Sequence, residues 1–325
     1  MKKNSVGSTA LKVTEFGLGT APLGGLYQPV SDEDAFTTME AAWDSGIRFF
    51  DTAPQYGNGL SEKRLGQFLS TKNRDDFILA TKVGRLLRKP SEPVGEDEYY
   101  KGTPPERPVF DFSYDGVMRS AEESLHRLGL AHIDVLHIHD PDHHYDEAIK
   151  GAYRALDRLR ADGTISAVGA GMNQAEMLSR FALEGRFDCF LLAGRYTLLE
   201  QRSLDDFLPL CEAQNISVFI GGVYNSGLLA SPSGKAKFNY QDAEPALIER
   251  ALKLEAICRD HGVSLRAAAI QFPHAHPAVT SILLGPRNAA ELTDNLALAS
   301  QKVPQALWDD LRLAALLDRR APVPR

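Results

Sequence analysis

Cysteine is scarce in this chain. Cys189, Cys211 and Cys258 are the only three among 325 residues, an odd number without zinc or redox spacing. A disulfide framework and a zinc ribbon are excluded on that ground, and each cysteine reads as a small apolar residue of a reduced cytoplasm. No apolar run approaches the length of a membrane span, and Met1-Lys-Lys-Asn4 is not followed by an apolar stretch. The expectation is therefore a cytoplasmic chain with no signal peptide and no membrane contact. Positive charge is not in excess either. A net charge of −7 argues against nucleic acid or an anionic bilayer as the main partner. Two nucleotide signatures are also missing. No Gly-x-Gly-x-x-Gly occurs, because Gly17-Leu-Gly19-Thr-Ala-Pro22 fails at the third glycine, and there is no Gly-x-x-x-x-Gly-Lys-Ser/Thr.

What is present is ordinary globular composition, 43% apolar and 24% charged, in a length that suits one large domain or two average ones. Gly7-Ser8 between short segments suggests a hairpin over 5–13. From 16–20 onward, strands and helices alternate. Strands are expected at 16–20, 47–51, 77–82, 133–139, 164–169, 187–192, 216–220 and 279–284. Helices are expected at 32–45 (with Ser31 as N-cap), 61–70, 113–127, 146–161, 174–184, 201–214, 245–261, 265–272, 288–300 and 304–318. Eight strands alternating with helices predict an α/β chain folded as a single (β/α)8 barrel over 1–325, preceded by the hairpin. A doubly wound open sheet is the rival, with fewer strands and usually a glycine-rich first turn. The stretch 84–112 has no periodicity and reads as a lid or binding loop. A second loop covers 221–243.

Three of the strands end on chemically active residues. Ile47-Arg-Phe-Phe-Asp51 ends on a carboxylate and runs into Thr-Ala-Pro-Gln-Tyr56-Gly. Phe77-Ile-Leu-Ala-Thr-Lys82 ends on an amine, and Ile133-Asp-Val-Leu-His-Ile-His139 on an imidazole. In a parallel barrel these ends converge on one mouth. A tyrosine titrates near ~10, too high for good acid–base work near neutrality. A neighbouring ammonium lowers it, and a carboxylate behind the ammonium keeps the charge in place. Asp51, Lys82 and Tyr56 thus form a sensible proton relay, with His139 orienting a substrate oxygen. The implied chemistry is proton exchange at a carbonyl or alcohol oxygen.

Taken singly, each residue has a plainer reading, as an ion pair or a packed loop ring. A sharper competitor is a metal site. His137 and His139 share a strand face, and His143-His144 follow, as in a metal-dependent barrel hydrolase. Lys82 and Tyr56 fit no ligand set, so no metal is expected, and His137 is assigned to the barrel interior.

These residues in this spacing resemble the aldo-keto reductase family. The resemblance rests on Asp51-x-Ala-x-x-Tyr56-Gly, Thr81-Lys82 and Asp134-Val-Leu-His-Ile-His139. It continues through Gly163-Thr-Ile-Ser-Ala-Val-Gly169, Gly227-Leu-Leu, Ser281-Ile-Leu-Leu-Gly285 and Asp294-Asn295. It implies a barrel that binds a nicotinamide dinucleotide in an extended pose. Tyr56 would be the general acid/base, Lys82 its tuner, Asp51 the partner of the lysine, and His139 the substrate-orienting group. The implied cofactor contacts are Thr20, Ala21, Asn173, Ser226, Gly227, Leu228, Gly285, Arg287, Glu291 and Asn295.

The chain departs from the family pattern in places. Gly169-Ala-Gly-Met-Asn173 replaces Gly-Val-Ser-Asn, Ala193 replaces a glutamine, and the ring that stacks on the nicotinamide falls near Gly221. Tyr224 is the candidate to replace that ring. Glu291 stands where NADP-preferring relatives carry arginine. A carboxylate there favours a 2′-hydroxyl over a 2′-phosphate, hence NAD, with NADP left possible through Arg287. Asp140 follows His139 where reductases of apolar carbonyls often carry Trp. With Gln55 and Arg195 it suits a polyhydroxylated substrate. The chain resembles the aldose 1-dehydrogenase branch, whose members oxidise L-fucose, L-galactose or D-threo-aldoses to lactones, and stands close to the pyridoxal 4-dehydrogenase branch. The expected partner is therefore a small molecule, a free sugar or pyridoxal, bound by a monomer or homodimer. A general aldehyde or ketone reductase and a nicotinamide-binding regulatory subunit remain as alternatives.

Overall fold

In the computed structural model, which describes residues 1–92, 94–232, 237–239 and 241–324, eight parallel strands close into a barrel. They are β1 Phe16–Gly19, β2 Phe49–Asp51, β3 Ile78–Val83, β4 Val135–His139, β5 Ala167–Met172, β6 Cys189–Ala193, β7 Ser217–Gly221 and β8 Val279–Leu284. Each strand pairs with its neighbours in sequence, and β8 closes on β1 through Ile282 opposite Phe16. The helices are α1 Asp32–Asp44, α2 Leu60–Leu69, α3 Tyr114–Leu128, α4 Tyr153–Ala161, α5 Glu176–Glu184, α6 Phe207–Ala213, α7 Pro245–Asp260, α8 Leu265–Gln271, α9 Ala289–Ala299 and α10 Gln305–Leu313. Their starts follow the local chemistry. Ser31, Ser113, Ser264 and Asn288 each accept a backbone N–H of the first turn, which satisfies donors the helix itself leaves open.

Because strands of a parallel barrel are covered on both faces, two cores result. One lies between sheet and helices. The other fills the barrel and contains Phe49, Ala80, Val135, Ala167, Cys189, Phe219 and Leu283. The N-terminal hairpin, Lys3–Ser5 antiparallel to Lys12–Thr14, caps the strand starts. Its Val6 and Val13 join the inner core, and Gly7 N donates to Ser217 Oγ at 2.8 Å.

The fifth strand lies at Ala167–Met172, three residues beyond the stretch expected at 164–169. Glycines at 169 and 171 read as a strand end, yet here both lie within the strand, and Gly169 makes room for larger neighbours inside the barrel. A Cβ on Gly169 would stand 2.2 Å from His137 Nδ1 and 2.8 Å from Cys189 O. The stretch 84–112 also holds more structure than a plain loop. Arg85–Arg88 pairs antiparallel with Arg107–Phe110. The helix expected over 146–161 begins with Tyr145–Glu147 and a π turn at Ala148–Ala152 before α4. The one expected over 201–214 divides into a 3-10 turn at Arg202–Leu204 and α6.

Gly169→Ala is expected to lower unfolding stability by about 3 kcal/mol through overpacking. Gly95→Ala, where an added Cβ meets nothing within 4 Å, should change it by less than about 0.5 kcal/mol. Urea denaturation of both variants checks this.

Candidate active site

Asp51 closes β2, Lys82 lies near the end of β3 and His139 closes β4, so the three side chains meet at the C-terminal mouth. The Lys82 ammonium donates to Asp51 Oδ1 at 2.9 Å, Asp51 Oδ2 at 2.7 Å and Thr52 O at 2.9 Å. Three bonds use its three protons. The two side chains are 1% and 3% exposed, which makes this a buried ion pair. Burial pushes the Asp51 carboxyl above its ordinary pKa while the Lys82 charge pulls it back. Neither group is tolerable here without the other.

Tyr56 stands on the loop after β2, held where Gly24 and Gly57 allow two backbones to meet. Gly57 has φ +61°, and a Cβ there would lie 2.3 Å from Gly24 O. Lys82 Nζ sits 4.6 Å from the centroid of the Tyr56 ring, and the His139 ring meets it edge-on at 5.8 Å. A cation this close stabilises the phenolate form. Burial, then repulsion from Arg85, Lys82 and His137, hold His139 well below its usual pKa, so the imidazole is neutral. A neutral ring has one proton to give and one lone pair.

Beneath this layer lie supports, of which Ser61, Glu62 and Arg127 were not legible as site residues. Thr20 Oγ1 donates to Asp51 O at 2.9 Å, and Ser61 Oγ to Thr20 Oγ1 at 2.6 Å. Glu62, fully buried, accepts from Thr81 Oγ1 at 2.8 Å and from Arg127 Nε at 2.6 Å. This network fastens the residue before Lys82 to α2 and α3. His137 fills the barrel interior with an edge-on contact to Phe219 at 6.0 Å, and burial lowers its pKa to about 3. Among the described residues no group of three or more His, Cys, Asp and Glu could hold a metal ion, and no helix is long and apolar enough to cross a membrane.

A cavity of about 200 Å³ opens over the tetrad. Gln55, Tyr56, Lys82, His139, Asp140 and Asn173 line it, joined by Leu26, Tyr99, Tyr100, Met172, Leu191 and Ala193. The tyrosines come from the long excursion after β3. That excursion is fastened to the loop after β1 by Tyr27 N to Tyr99 O at 2.7 Å, Lys101 N to Gly25 O at 2.9 Å and a bridge between Leu26 and Tyr100. The Tyr100 ring lies 6.3 Å from that of Tyr56.

Two candidate substrate residues stand elsewhere. Arg195 donates to Gly194 O at 3.1 Å and Asn239 Oδ1 at 2.9 Å, with its guanidinium over Phe238, and lines a separate polar cleft with Arg202 and Asp206. Tyr224 donates to Asn295 Oδ1 at 2.9 Å and is not among the residues lining the cavity.

The remaining candidates gather around the ends of β7 and β8. Ser226 and Gly227 have left-handed backbone at φ 56° and 98°, Ser226 bonds the Tyr27 hydroxyl, and Leu228 is fully buried. Gly285 faces Pro22, in the short 3-10 turn that begins next to Ala21. Arg287 forms an ion pair with Glu291 and donates to it from Nε at 2.9 Å and from its backbone N at 2.9 Å. Burial works against the Glu291 carboxylate, but these bonds outweigh it and hold its pKa below the ordinary value. Arg266 is an addition that sequence reasoning missed. It donates to Asn295 Oδ1 at 3.0 Å and pairs with Asp294 at 2.5 Å. Nothing in its helical setting marked it, because its partners lie about thirty positions away. This donor set, an amide at the cavity, hydroxyl and glycine backbone beyond it, then guanidinium with carboxylate at the start of α9, fits an extended dinucleotide.

The barrel brings Asp51, Tyr56, Lys82 and His139 together at one mouth, a set able to exchange a proton with a carbonyl or alcohol oxygen. The profile of the aldo/keto reductase family matches residues 15–314, and the chain belongs to that family as an NAD(P)-dependent oxidoreductase. It is 43% identical to a pyridoxal 4-dehydrogenase of Microbacterium luteolum, over 97% of this chain and 98% of that one. It is 42% identical to a D-threo-aldose 1-dehydrogenase of a Pseudomonas species, over 95% and 96%. The fold matches that of an aldo-keto reductase from Bacillus halodurans with a TM-score of 0.76, at 24% identity, over 100% of this chain and 98% of the other.

Lys82→Met should destabilise the protein by about 3–5 kcal/mol, because Asp51 is left buried and unpaired. The double variant with Asp51→Asn should regain part of that loss without regaining turnover. Denaturant unfolding alongside cofactor-absorbance assays separates the two effects.

Proposed function

We propose that this chain oxidises the anomeric hydroxyl of a free aldose to a lactone, with NAD as the preferred acceptor, in the cytoplasm. The observation that carries the reading is the pairing of an anionic edge with aromatic faces in one cavity. Asp140 offers a carboxylate beside His139, and Tyr56 and Tyr100 offer ring faces. A sugar ring has both surfaces, hydroxyls at its edge and C–H groups on its faces.

In this reading Tyr56, as phenolate, accepts the proton of the reacting hydroxyl. Lys82 stabilises that phenolate through its charge, and Asp51 keeps Lys82 protonated and aimed. His139 Nε2 donates to the same substrate oxygen and holds the carbon–hydrogen bond in line for transfer. The bound nicotinamide would supply the two-electron acceptor. Asn173 would hold its carboxamide, and Glu291, positioned by Arg287, would accept from the free 2′-hydroxyl.

Pyridoxal is the second reading. It is supported by the relative of that specificity and by shared chemistry, since pyridoxal closes on its neighbouring hydroxymethyl group into a cyclic hemiacetal. Either substrate thus presents a ring hemiacetal that leaves as a lactone. Reduction of an open-chain aldehyde or ketone is the same chemistry reversed.

A panel of L-fucose, L-galactose, D-arabinose and pyridoxal, with NAD and NADP, discriminates these. Tyr56→Phe should lower kcat on the preferred substrate by at least about a hundredfold; full turnover by that variant would sink the mechanism. Glu291→Arg should raise the NADP to NAD ratio of kcat/KM by about tenfold or more, some 1.4 kcal/mol. An unchanged ratio would end the cofactor argument.

A further inference from the structure

We propose that Asp140, clamped by Arg85, is a positioning residue that fixes the tautomer of His139 with the proton on Nε2. This rests on the roles given above to Tyr56 and His139, and it concerns what prepares His139 before any substrate arrives.

The geometry begins with the backbone. Successive residues of a strand point to opposite faces, so Asp140 would ordinarily turn away from His139. Its φ is +42°, a left-handed value that Asp tolerates better than most residues. Asp140 N still donates to Gly171 O at 3.0 Å, so the break falls immediately after the last rung of the β4–β5 ladder. The result brings Asp140 Oδ2 within 3.4 Å of His139 Nε2. The same oxygen accepts from Arg85 NH2 at 2.8 Å. Arg85 is 8% exposed, and the Phe110 ring lies 4.8 Å from its guanidinium carbon. A cation so enclosed has few places to go.

His139 is neutral and must place one proton. Its Nδ1 is buried and has no hydrogen-bond partner. A proton on Nδ1 would leave an unsatisfied buried donor and set the Nε2 lone pair against a carboxylate; a proton on Nε2 removes that clash and leaves only the Nδ1 lone pair unpartnered. Asp140 thereby selects the form that can donate to a substrate oxygen. Arg85 maintains this by holding the carboxylate charged.

The groups facing Asp140 are Arg85 from the strand Arg85–Arg88 after β3, Lys82 from β3, Asp142 from its own loop and neutral His139. Arg85 and Lys82 favour its charge, whereas burial and Asp142 oppose it, and the carboxyl is pushed up to about 6. Above that pH the carboxylate is charged and the selection holds. As pH falls through it, the selection and the turnover that depends on it fade.

The test uses the full-length protein, labelled with 15N-histidine, at about pH 7.5. Long-range proton–nitrogen spectra report each tautomer, and His139 is assigned by the signal lost in His139→Gln. The expected result is Nε2–H in the wild type and loss of that preference in Asp140→Leu. Nδ1–H in the wild type, or an unchanged His139 signal in Asp140→Leu, overturns the proposal. Asp140→Asn, close to isosteric, covers the case in which the leucine variant does not fold. It should drop kcat/KM about tenfold near neutrality and abolish the acidic limb near pH 6. A limb that persists in Asp140→Asn also overturns the proposal. The spectra need no substrate, so they stand even if no sugar in the panel is turned over. Conversely, a fully active Tyr56→Phe would remove the mechanism without touching the tautomer.

Discussion

Everything at the mouth of this barrel depends on one buried ion pair. Asp51 and Lys82 lie in an interior where an isolated charge costs several kcal/mol, and each is the other's compensation. The strands bring them to adjacent ends, Thr20 and Thr52 fasten the backbone on the Asp51 side, and Glu62 with Arg127 secures the Lys82 side. The reward for this expensive arrangement is a positive charge that water cannot dilute, 4.6 Å from the Tyr56 ring. A surface lysine could not bias a phenol to the same extent.

The site divides into a rigid floor and a built roof. Floor residues stand on strand ends and owe their places to barrel closure. Roof residues, Leu26, Tyr99 and Tyr100, come from two excursions hydrogen-bonded to each other. Arg85 connects the levels, since it stands at the root of the excursion after β3, opposite Phe110, and touches the residue after His139. The roof segments can therefore vary without disturbing the Asp51–Lys82 pair beneath them. The two relatives of different named substrate, at 43% and 42% identity, are consistent with that division.

The convergence of Asp51, Lys82 and His139 was legible because each ends an apolar run, where a polar residue is conspicuous. Strand order followed from the alternation alone. The fifth strand was misplaced because Gly169 and Gly171 look like a terminator until His137 and Lys82 are seen occupying the space beside them. Glu62, Arg127, Arg85 and Arg266 were hidden for another reason. On helices and loops a charge reads as solvent-facing, and the partners lie from 19 to 65 positions away. Arg195 was proposed for a polyhydroxylated substrate and Tyr224 as a replacement for the ring that stacks on the nicotinamide; their hydrogen bonds draw them to Asn239 and Asn295.

The hairpin that closes the bottom of the barrel has a consequence for how the protein responds to salt. With Val6 and Val13 sealing the strand starts, dissolved ions reach the Asp51–Lys82 pair from one side only, and there both side chains are covered. Screening over about 8 Å at physiological ionic strength acts on charges in contact with solvent. The half-exposed pair of Arg287 and Glu291 meets that condition, whereas the relay does not. Added salt should therefore weaken the Arg287–Glu291 pair and leave the Asp51–Lys82 pair nearly untouched, so the two ion pairs are insulated from each other in their response to ionic strength.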